Sequence, residues 1–425
     1  MSKIRKLKGL SFLVYGLGLT GLSVIKFFKK NKIKNFKIWD DKKKKIFKNY
    51  AAKNLTQILS QVDYIVLSPG ISLIKNKKLR KFKHKIITDI DLFYLTKNKS
   101  KTIVVTGTNG KSTTCKLLAH ILKKNKFKVS LGGNIGNPIL NAGKVENKYV
   151  VIEASSFQLS HSNFICPDYA FFLNLTNDHL DWHGSRNNYI ESKFKIFRLQ
   201  TKNDIAIINS KLKKNFTRKK FSSRLIIPKK KDYTKIKSKI INKYLISDIN
   251  DENMSFVFAF AKLLGIKERR LISSINSFKG LPHRFELFLK KNDITFINDS
   301  KATSFKSAQL ALSSINNIYW ILGGQPKIGD KIKLGKLKEN IIKCYIIGKN
   351  INFFKNQIKG KINFSITRNL SNSIIKILKD IKIQKKINKT ILLSPAAASF
   401  DQFTNFEKRG EKFKFLCKKY VRKFV

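Results

Sequence analysis

The stretch TIVVTGTNGKSTT, residues 102–114, decides the fold of this chain. Residues 102–105 are apolar or β-branched, which predicts a buried strand, and the strand runs into Thr106-Gly107-Thr108-Asn109, which precedes Gly110-Lys111-Ser112. Small residues before this tripeptide let main-chain N–H groups wrap a phosphate, while Lys111 can reach its oxygens and Ser112 can hold Mg²⁺. The strict G-x-x-x-x-G-K-[ST] pattern fails because position 105 is valine. The strand, loop and helix arrangement still predicts phosphate binding.

Polar clusters follow the next two apolar runs. Residues 149–152 lead to Glu153, and residues 170–173 lead to a segment that contains Asp178, His179 and Asp181. Parallel strands end at one edge of a sheet, so these groups are expected beside the phosphate loop, where a hard cation takes oxygen ligands. The alternative is that Asp178 and Asp181 cap the next helix while His179 packs locally.

The N-terminal segment carries a second glycine-rich turn. An apolar run at residues 10–15 precedes Gly16-x-Gly18-x-x-Gly21, and a short strand at residues 36–39 ends in Asp40. This spacing is typical of a nucleotide-binding strand–turn–helix unit, although the glycines also permit tight packing alone. A third run, residues 64–67, ends at Ser68-Pro69-Gly70, where open α/β sheets bind ligands.

The C-terminal segment repeats this organisation. Strands are predicted at residues 294–297, 319–322 and 390–393, each followed by a polar loop. The prediction is therefore an α/β protein with three domains: a Rossmann-like domain at 1–92, a central P-loop ATPase-type domain at 93–280 and a doubly wound domain at 281–425. Pro282 is expected to stop the helix before the third domain.

The composition is strongly basic. The 425 residues include 88 Lys and Arg against 26 Asp and Glu, which gives a net charge of +62. A nucleic-acid partner would explain this charge, but so would the codon bias of an A/T-rich genome. The basic residues spread along the whole chain, and short runs such as 42–45 and 229–231 are typical of solvated loops, so no specific nucleic acid is expected. The hydrophobic share of 42% excludes a wholly disordered chain.

The cysteines and the uncharged N-terminal run bear on where the protein is located. The four cysteines lie far apart and form no CxxC pair, which favours a reducing compartment without structural zinc. The uncharged run at residues 9–25 is shorter than a membrane span and contains three of the glycines named above. We therefore expect a cytoplasmic monomer with no membrane association.

Residues 106–114, 153–159 and 174–181 together resemble the Mur ligase superfamily, whose members form amide bonds with ATP during peptidoglycan synthesis. Residues 16–21 and 393–410 resemble the members that add D-glutamate to UDP-N-acetylmuramoyl-L-alanine. The resemblance covers nearly the whole chain, and its motifs occur in the family's order. It implies an ATP-dependent, Mg²⁺-requiring ligase that works through an acyl phosphate.

The resemblance also implies roles for individual residues. The implied catalytic residues are Lys111, His179 and Lys193. ATP would contact Gly107, Thr108, Asn109, Gly110, Lys111, Ser112, Thr113, Asn253, Arg284 and Asp299. The UDP-linked substrate would contact Gly18, Leu19, Thr20, Asp40, Ser68, Gly70 and Asn134. D-glutamate would contact Lys301, Thr303, Lys327, Ser399 and Phe406. Metal would be held by Ser112, Glu153, His179 and Lys193.

The role predicted for Lys193 depends on the resemblance alone. Its segment, residues 189–194, looks like the one whose lysine is carbamylated in the family, whereas its residue type predicts a solvated surface cation. Three departures from the family pattern affect the other assignments. Ile249 replaces a histidine near the adenine pocket, Gln325-Pro326 replaces Asp-Gly before Lys327, and Ser304 stands where asparagine commonly follows the threonine.

Two alternatives remain at this point. Another Mur ligase or a folylpolyglutamate synthase would share the phosphate loop. The N-terminal glycine turn argues against the folate enzyme, and residues 394–410 argue against the ligase that adds a diamino acid. A nucleic-acid-binding ATPase would be a different class of protein, and only the charge supports it.

Overall fold

The computed structural model describes residues 3–42, 48–97, 99–143, 146, 148–176, 178–242, 244–245, 248–327, 329–383 and 388–424. Residues 43–45 of the basic run and Asn177 of the predicted metal segment lie outside these residues. The chain forms two compact units, residues 1–278 and 279–425. The first unit contains two parallel sheets and the second unit contains one mixed sheet.

The first sheet has four parallel strands in the order β2-β1-β3-β4. Its strands are β1 Phe12–Tyr15, β2 Phe36–Trp39, β3 Tyr64–Leu67 and β4 Ile86–Ile87. Its helices are α1 Lys3–Leu7, α2 Leu19–Lys30, α3 Leu55–Gln61, α4 Lys77–Lys81 and α5 Asp89–Thr96, with 3₁₀ turns at Lys48–Tyr50 and Lys83–Lys85. All four β1 side chains are buried, as expected for a central parallel strand with helices on both faces.

The second sheet has six parallel strands in the order β10-β9-β8-β5-β7-β6. Its strands are β5 Lys101–Thr106, β6 Val129–Gly133, β7 Tyr149–Glu153, β8 Tyr169–Phe172, β9 Ile205–Ile208 and β10 Arg224–Ile226. Its helices are α6 Lys111–Lys124, α7 Ser156–His161, α8 Leu180–His183, α9 Arg186–Phe194, α10 Lys213–Arg218, α11 Lys230–Lys237, α12 Asp248–Leu263 and α13 Glu268–Asn276. The 3₁₀ turns are Ile139–Asn141, Lys195–Phe197 and Ser210–Leu212. Because β7 and β8 flank β5, the loops after these three strands leave the same edge of the sheet.

A buried carboxylate ties the first sheet to the second. Asp91 of α5 accepts hydrogen bonds from the main-chain N–H groups of Asn163 (2.9 Å) and Phe164 (2.7 Å) and from the Ser162 hydroxyl (2.7 Å). Its other oxygen accepts from the Thr88 N–H at 2.9 Å and completes a capping box at the start of α5. The predicted domain boundary at residue 92 lies within this helix.

The second unit has six strands in the order β11-β12-β16-β13-β14-β15, and only β11 runs antiparallel to its neighbour. Its strands are β11 Glu286–Lys291, β12 Ile294–Asn298, β13 Ile318–Gly323, β14 Ile341–Ile347, β15 Phe364–Arg368 and β16 Lys389–Leu393. Its helices are α14 Phe305–Ser314, α15 Ile351–Ile358, α16 Leu370–Ile383 and α17 Phe406–Phe424, with a 3₁₀ helix at Gly335–Asn340. Alternate residues of β13 pack on opposite faces, Trp320 in one core cluster and Tyr319 in the other.

The predicted α/β class is confirmed, and the apolar runs quoted above form strands whose ends differ from the prediction by at most two residues. The role predicted for Pro282 is wrong, because α13 already ends at Asn276. Among the described residues, no helix combines the length and apolarity needed to cross a membrane.

Candidate active site

Residues 107–110 connect β5 to α6 and form the loop predicted to bind phosphate. Gly110 has φ of 80°, in the left-handed region that favours glycine, and a Cβ atom there would collide with the Asn253 side chain. The first turn of α6, which contains Lys111, Ser112 and Thr113, offers main-chain N–H groups that have no partner within the helix. Together these N–H groups make a site for an anion at the helix N-terminus.

Two lysine side chains meet at this loop. Lys111 Nζ donates to the carbonyl oxygens of Gly107 and Thr108, each at 2.8 Å, and Lys193 Nζ donates to the Gly107 oxygen at 2.8 Å. Lys193 is only 1% exposed, so the prediction of a surface cation from its residue type is wrong. Burial, and then the positive charge of Lys111, lowers the pKa of Lys193 well below its usual value. The loop therefore has one lysine suited to neutralising phosphate charge and a second that deprotonates readily.

Tyr189 contacts both the phosphate loop and Lys193, and the sequence assigned it no role. Its hydroxyl lies 2.9 Å from the Thr108 hydroxyl, and its ring centroid lies 4.8 Å from Lys193 Nζ. Tyr189 precedes Lys193 by four residues on α9, so the two share one helix face. That spacing is the sequence signal that could have identified it.

Glu153 ends β7 next to the phosphate loop. It is 2% exposed, and one of its carboxylate oxygens accepts from Asn134 Nδ2 at 3.0 Å. The other oxygen is buried and has no hydrogen-bond partner among the described residues. A buried carboxylate oxygen without a partner is costly unless a cation or water satisfies it. Glu153 therefore fits the role of a magnesium ligand, with the Ser112 hydroxyl at the start of α6 as an oxygen donor of the type Mg²⁺ takes.

The His179 segment differs from the expectation of a carboxylate cluster. His179 has φ of 54°, its ring centroid lies 4.7 Å from that of Phe157, and its Nε2 lies 3.4 Å from the Asp178 carboxylate. Within the described residues, no group of three or more His, Cys, Asp or Glu side chains could hold a metal ion. Glu153, Asp178, His179 and Asp181 thus do not form a complete site by themselves. Asp181 lies in the first turn of α8, but the N-cap residue of this helix is His179, whose side chain makes no capping hydrogen bond within the described residues, so the alternative that Asp178 and Asp181 cap the helix is not confirmed.

The glycine turn of the first sheet divides into packed and open positions. A Cβ atom at Gly16 or Gly21 would collide with the Ser68 side chain or the Gly16 carbonyl, respectively, so both glycines are needed for close packing. A Cβ atom at Gly18 would have no neighbour within 4 Å. Asp40 accepts from the Leu17 N–H at 2.6 Å, and Ser68 Oγ donates to the Gly16 oxygen at 2.8 Å. Both polar side chains therefore hold the turn in place.

The other predicted substrate contacts lie at exposed or partly exposed positions after strands of the first and second sheets. Leu19 is 76% exposed, and Thr20 is partly exposed at the start of α2. Gly70, after β3, is also exposed, and a Cβ atom there would meet nothing within 4 Å. Asn134 is exposed after β6, and its N–H donates to the Glu153 carbonyl at 2.8 Å. Asn134 therefore contacts the predicted magnesium ligand through both its main chain and its side chain.

In the second unit, Asp299 is buried at the end of β12. Its carboxylate accepts from the Ser394 hydroxyl at 2.8 Å and from the Phe285 N–H at 3.1 Å. Burial raises the pKa of Asp299 to about 7, while these hydrogen bonds and the charges of Arg284 and Arg409 oppose the rise. Asp299 therefore titrates near neutral pH.

The predicted D-glutamate residues surround two loops of the second unit. Lys301 Nζ lies 5.1 Å from the Phe406 ring centroid, and Ser399 is buried. Gln325 N–H donates to the Ala398 oxygen at 2.8 Å, and the Ala398 N–H donates back to the Gln325 oxygen at 2.9 Å. This pair of hydrogen bonds holds Gln325-Pro326, which replaces the family's Asp-Gly, beside Ser399.

Two further predicted contacts lie on the same loops. Lys327 is exposed two residues after Gln325, and Thr303 is partly exposed after β12. Ser304, the other departure, caps α14 through a hydrogen bond from the Ser307 N–H. The replacement at position 304 therefore keeps a capping residue at the helix start.

Comparison with known proteins identifies the family. Residues 11–89 match the family description "Mur ligase MurD-like, N-terminal domain", and residues 105–265 match "Mur ligase middle domain". A UDP-N-acetylmuramoylalanine–D-glutamate ligase of Rickettsia prowazekii is 37% identical, and the alignment covers 96% of this chain and 97% of that protein.

Solved structures of more distant proteins share the fold. UDP-N-acetylmuramate–alanine ligase MurC of Thermotoga maritima superposes with a TM-score of 0.58 at 16% identity, over 97% of this chain and 100% of that chain. MurF ligase of the same organism, solved in complex with ADP, superposes with a TM-score of 0.57 at 16% identity, over 99% of each chain. With the near full-length similarity above, this chain belongs to the Mur ligase family, in the group of UDP-N-acetylmuramoylalanine–D-glutamate ligases.

Proposed function

We propose that the protein joins the amine of D-glutamate to the carboxylate of UDP-N-acetylmuramoyl-L-alanine and converts ATP to ADP and phosphate. The observation that carries the proposal is the arrangement around the phosphate loop. Two lysines contact the Gly107 carbonyl, and one buried oxygen of Glu153 has no hydrogen-bond partner among the described residues. The substrates named for the similar D-glutamate ligase of Rickettsia prowazekii support this choice of substrates.

The ATP phosphates are proposed to bind along the loop after β5. Main-chain N–H groups of Lys111, Ser112 and Thr113 at the start of α6 supply hydrogen-bond donors, and the Lys111 side chain supplies positive charge. Asn253, whose side chain contacts the loop at Gly110, is proposed to bind the adenine base. Contact of Arg284 and Asp299 with ATP stays a prediction.

Magnesium is proposed to bind the Ser112 hydroxyl and Glu153. When bound, Mg²⁺ supplies positive charge that offsets the repulsion between two anionic substrates. His179 is proposed to serve a second metal site, because its ring lies beside Phe157 with one nitrogen near Asp178.

Lys193 is proposed to carry a carbamate. Carbamylation begins with attack of a neutral amine on CO₂, and burial favours the neutral form of this lysine. The modification would convert a buried cation beside the loop into an oxygen-rich anion. It would thereby provide metal-ligand oxygens that the described His, Cys, Asp and Glu side chains do not supply as a cluster.

The UDP-linked substrate is proposed to bind the open surface of the first sheet. Its proposed contacts there are Gly18, Leu19, Thr20, Asp40, Ser68 and Gly70, and a further proposed contact is Asn134, which follows β6 of the second sheet. Asp40 and Ser68 act mainly by holding the glycine turn, since both hydrogen-bond its main chain. The other contacts lie at or beside exposed positions.

D-glutamate is proposed to bind the second unit. Lys301 and Lys327 supply positive charge for its two carboxylates, and Thr303 and Ser399 supply hydroxyl groups. Phe406, which already contacts Lys301, covers the carbon chain. The division into domains at 1–92, 93–280 and 281–425 is part of the same proposal, as is a monomeric enzyme.

The proposed reaction has two steps. A carboxylate oxygen of the alanyl group attacks the γ-phosphorus of ATP, the bond to the β–γ bridging oxygen breaks, and ADP leaves. The neutral amine of D-glutamate then attacks the acyl phosphate carbonyl, phosphate leaves with the C–O bonding electrons, and the amine loses a proton. Lys111 stabilises the negative charge that gathers on the phosphate oxygens in the first step.

The test is ADP formation by the purified protein with ATP and Mg²⁺. We expect ADP to form only when UDP-N-acetylmuramoyl-L-alanine and D-glutamate are both present. ADP formation that depends on added DNA or RNA, and not on these substrates, would refute the proposal.

A further inference from the structure

Glu252 lies in the second turn of α12 and joins two loops of the second sheet. One of its carboxylate oxygens accepts from the Asn174 side-chain amide at 2.9 Å, and the other accepts from the Asn209 side-chain amide. Asn174 follows β8, and Asn209 follows β9. A single carboxylate therefore holds the ends of two adjacent strands.

Asn174 passes this constraint to the phosphate loop. Its side-chain oxygen accepts from the Asn109 N–H at 2.9 Å, and its side-chain nitrogen donates to the Asn109 carbonyl at 3.3 Å. Its main-chain carbonyl accepts from the Thr108 N–H at 3.0 Å. Asn174 thus pairs with two consecutive residues of the loop, much as a neighbouring strand would.

The orientation of both amides is fixed by the main chain. The Asn174 oxygen is bound by the Asn109 N–H, and the Asn209 oxygen is bound by the Lys211 N–H at 3.0 Å. Each amide must therefore point its NH₂ group at residue 252. A side chain at residue 252 therefore needs two acceptor atoms, one for each NH₂ group. An ionised carboxylate has two acceptor oxygens, whereas a glutamine has one acceptor oxygen and one NH₂ donor.

The next residue of α12 contacts the loop directly. Asn253 occupies the space that a side chain at residue 110 would need. Consecutive residues of one helical turn thus reach consecutive residues of the loop, Asn253 at Gly110 and Glu252 at Asn109 through Asn174.

We propose that Glu252 is a positioning residue that sets the path of the phosphate loop at Asn109. It acts through the oriented amides of Asn174 and Asn209 and so determines how well the loop binds ATP. The inference rests on the proposed function for the identity of the ligand.

The first test replaces Glu252 with glutamine and measures binding of ATP with Mg²⁺ by calorimetry. Glu252→Gln places an NH₂ group against one of the two amide donors, so the loop loses a charge-assisted hydrogen bond. We expect ATP binding weaker by roughly tenfold or more, with a raised KM for ATP and an unchanged KM for the UDP-linked substrate. The matched control is Glu268→Gln on α13, which removes only an exposed pair with Lys239 and is expected to bind ATP as the wild type does.

The second test reverses the donor and acceptor. In the double variant Glu252→Gln/Asn209→Asp, the new carboxylate at 209 accepts from Lys211 N–H and from the glutamine NH₂, while the glutamine oxygen accepts from Asn174. We expect the double variant to recover most of the ATP affinity. Asn209→Asp alone should bind ATP weakly, because its new carboxylate lies against the carboxylate of Glu252 and the two repel. A purely structural loss would not be rescued by this exchange.

Three results would overturn the proposal. Glu252→Gln that binds ATP within twofold of the wild type would remove the positioning role and leave the proposed function intact. A double variant as weak as Glu252→Gln would contradict the oriented-amide argument. A wild-type protein that binds no ATP would overturn both this inference and the proposed function.

Discussion

Replacement of Asp299 by asparagine should change how the stability of the second unit depends on pH. Asp299 is enclosed at the end of β12, where it accepts from the Ser394 hydroxyl and the Phe285 N–H. Asparagine keeps the acceptor for Phe285, and its NH₂ group can donate to the Ser394 oxygen. The substitution therefore removes the titration with little change of shape.

The magnitude follows from the pKa. Burial raises the pKa of Asp299 from 3.8 to about 7, so the folded unit holds a proton that the unfolded chain has already lost. The stability that this group contributes is fully present below pH 3.8 and is lost as pH rises to about 7. Between pH 5 and pH 8 the loss spans about two pKa units, or about 3 kcal/mol in the free energy of unfolding.

The assay is urea denaturation followed by the fluorescence of Trp320, in full-length chains that carry Trp39→Phe and Trp182→Phe. Trp320 is buried, its indole donates to the Ser394 carbonyl at 2.7 Å, and it is the one tryptophan of the second unit. When pH rises from 5 to 8, we expect the free energy of unfolding of Asp299→Asn to increase by about 3 kcal/mol relative to that of its parent. Parallel stability curves for parent and variant over this range would refute the reasoning.

Three further substitutions test the phosphate loop. Lys111→Ala should reduce the rate of ADP formation by about a hundredfold or more, because the charge on the phosphate oxygens loses its partner, while circular dichroism stays unchanged; a variant that retains most of its rate would contradict this role. Gly110→Ala should weaken ATP binding beyond the roughly 1 kcal/mol backbone cost of its left-handed conformation, since the new methyl group collides with Asn253. Gly265→Ala has the same left-handed geometry with no neighbour within 4 Å, and equal ATP affinities of the two variants would argue against the collision. Lys193→Met should abolish ligation, and wild-type activity should fall in CO₂-free buffer and return with bicarbonate; activity indifferent to both changes would exclude a carbamate.

The sheets could be predicted from the sequence because parallel strands covered on both faces are nearly continuous apolar runs. Residues 102–105, for example, appear as β5 with one more residue at each end. The polar loops after β5 and β7 were likewise predicted to share an edge, because strand ends follow from strand positions. These parts of the site depend on local sequence.

Other parts of the site depend on contacts that are distant in sequence. Lys193 is buried against the phosphate loop, where it donates to the Gly107 carbonyl 86 residues away in the sequence. No local sequence pattern signals this contact. The positioning role of Glu252 has no local sequence signal for the same reason, since its partner Asn174 lies 78 residues away. At the glycine turn, spacing alone could not separate Gly16, which is needed for packing, from Gly18, which is open.

The most direct test of the proposed activity is mass spectrometry of the product formed from ATP, Mg²⁺, UDP-N-acetylmuramoyl-L-alanine and a panel of amino acids. The panel should contain D-glutamate, L-glutamate, L-lysine and diaminopimelate, and ADP should be measured in each reaction. We expect a product heavier by one glutamyl residue with D-glutamate alone, with one ADP formed per product. A product with a diamino acid, or none with D-glutamate while the protein still binds ATP, would contradict the assignment.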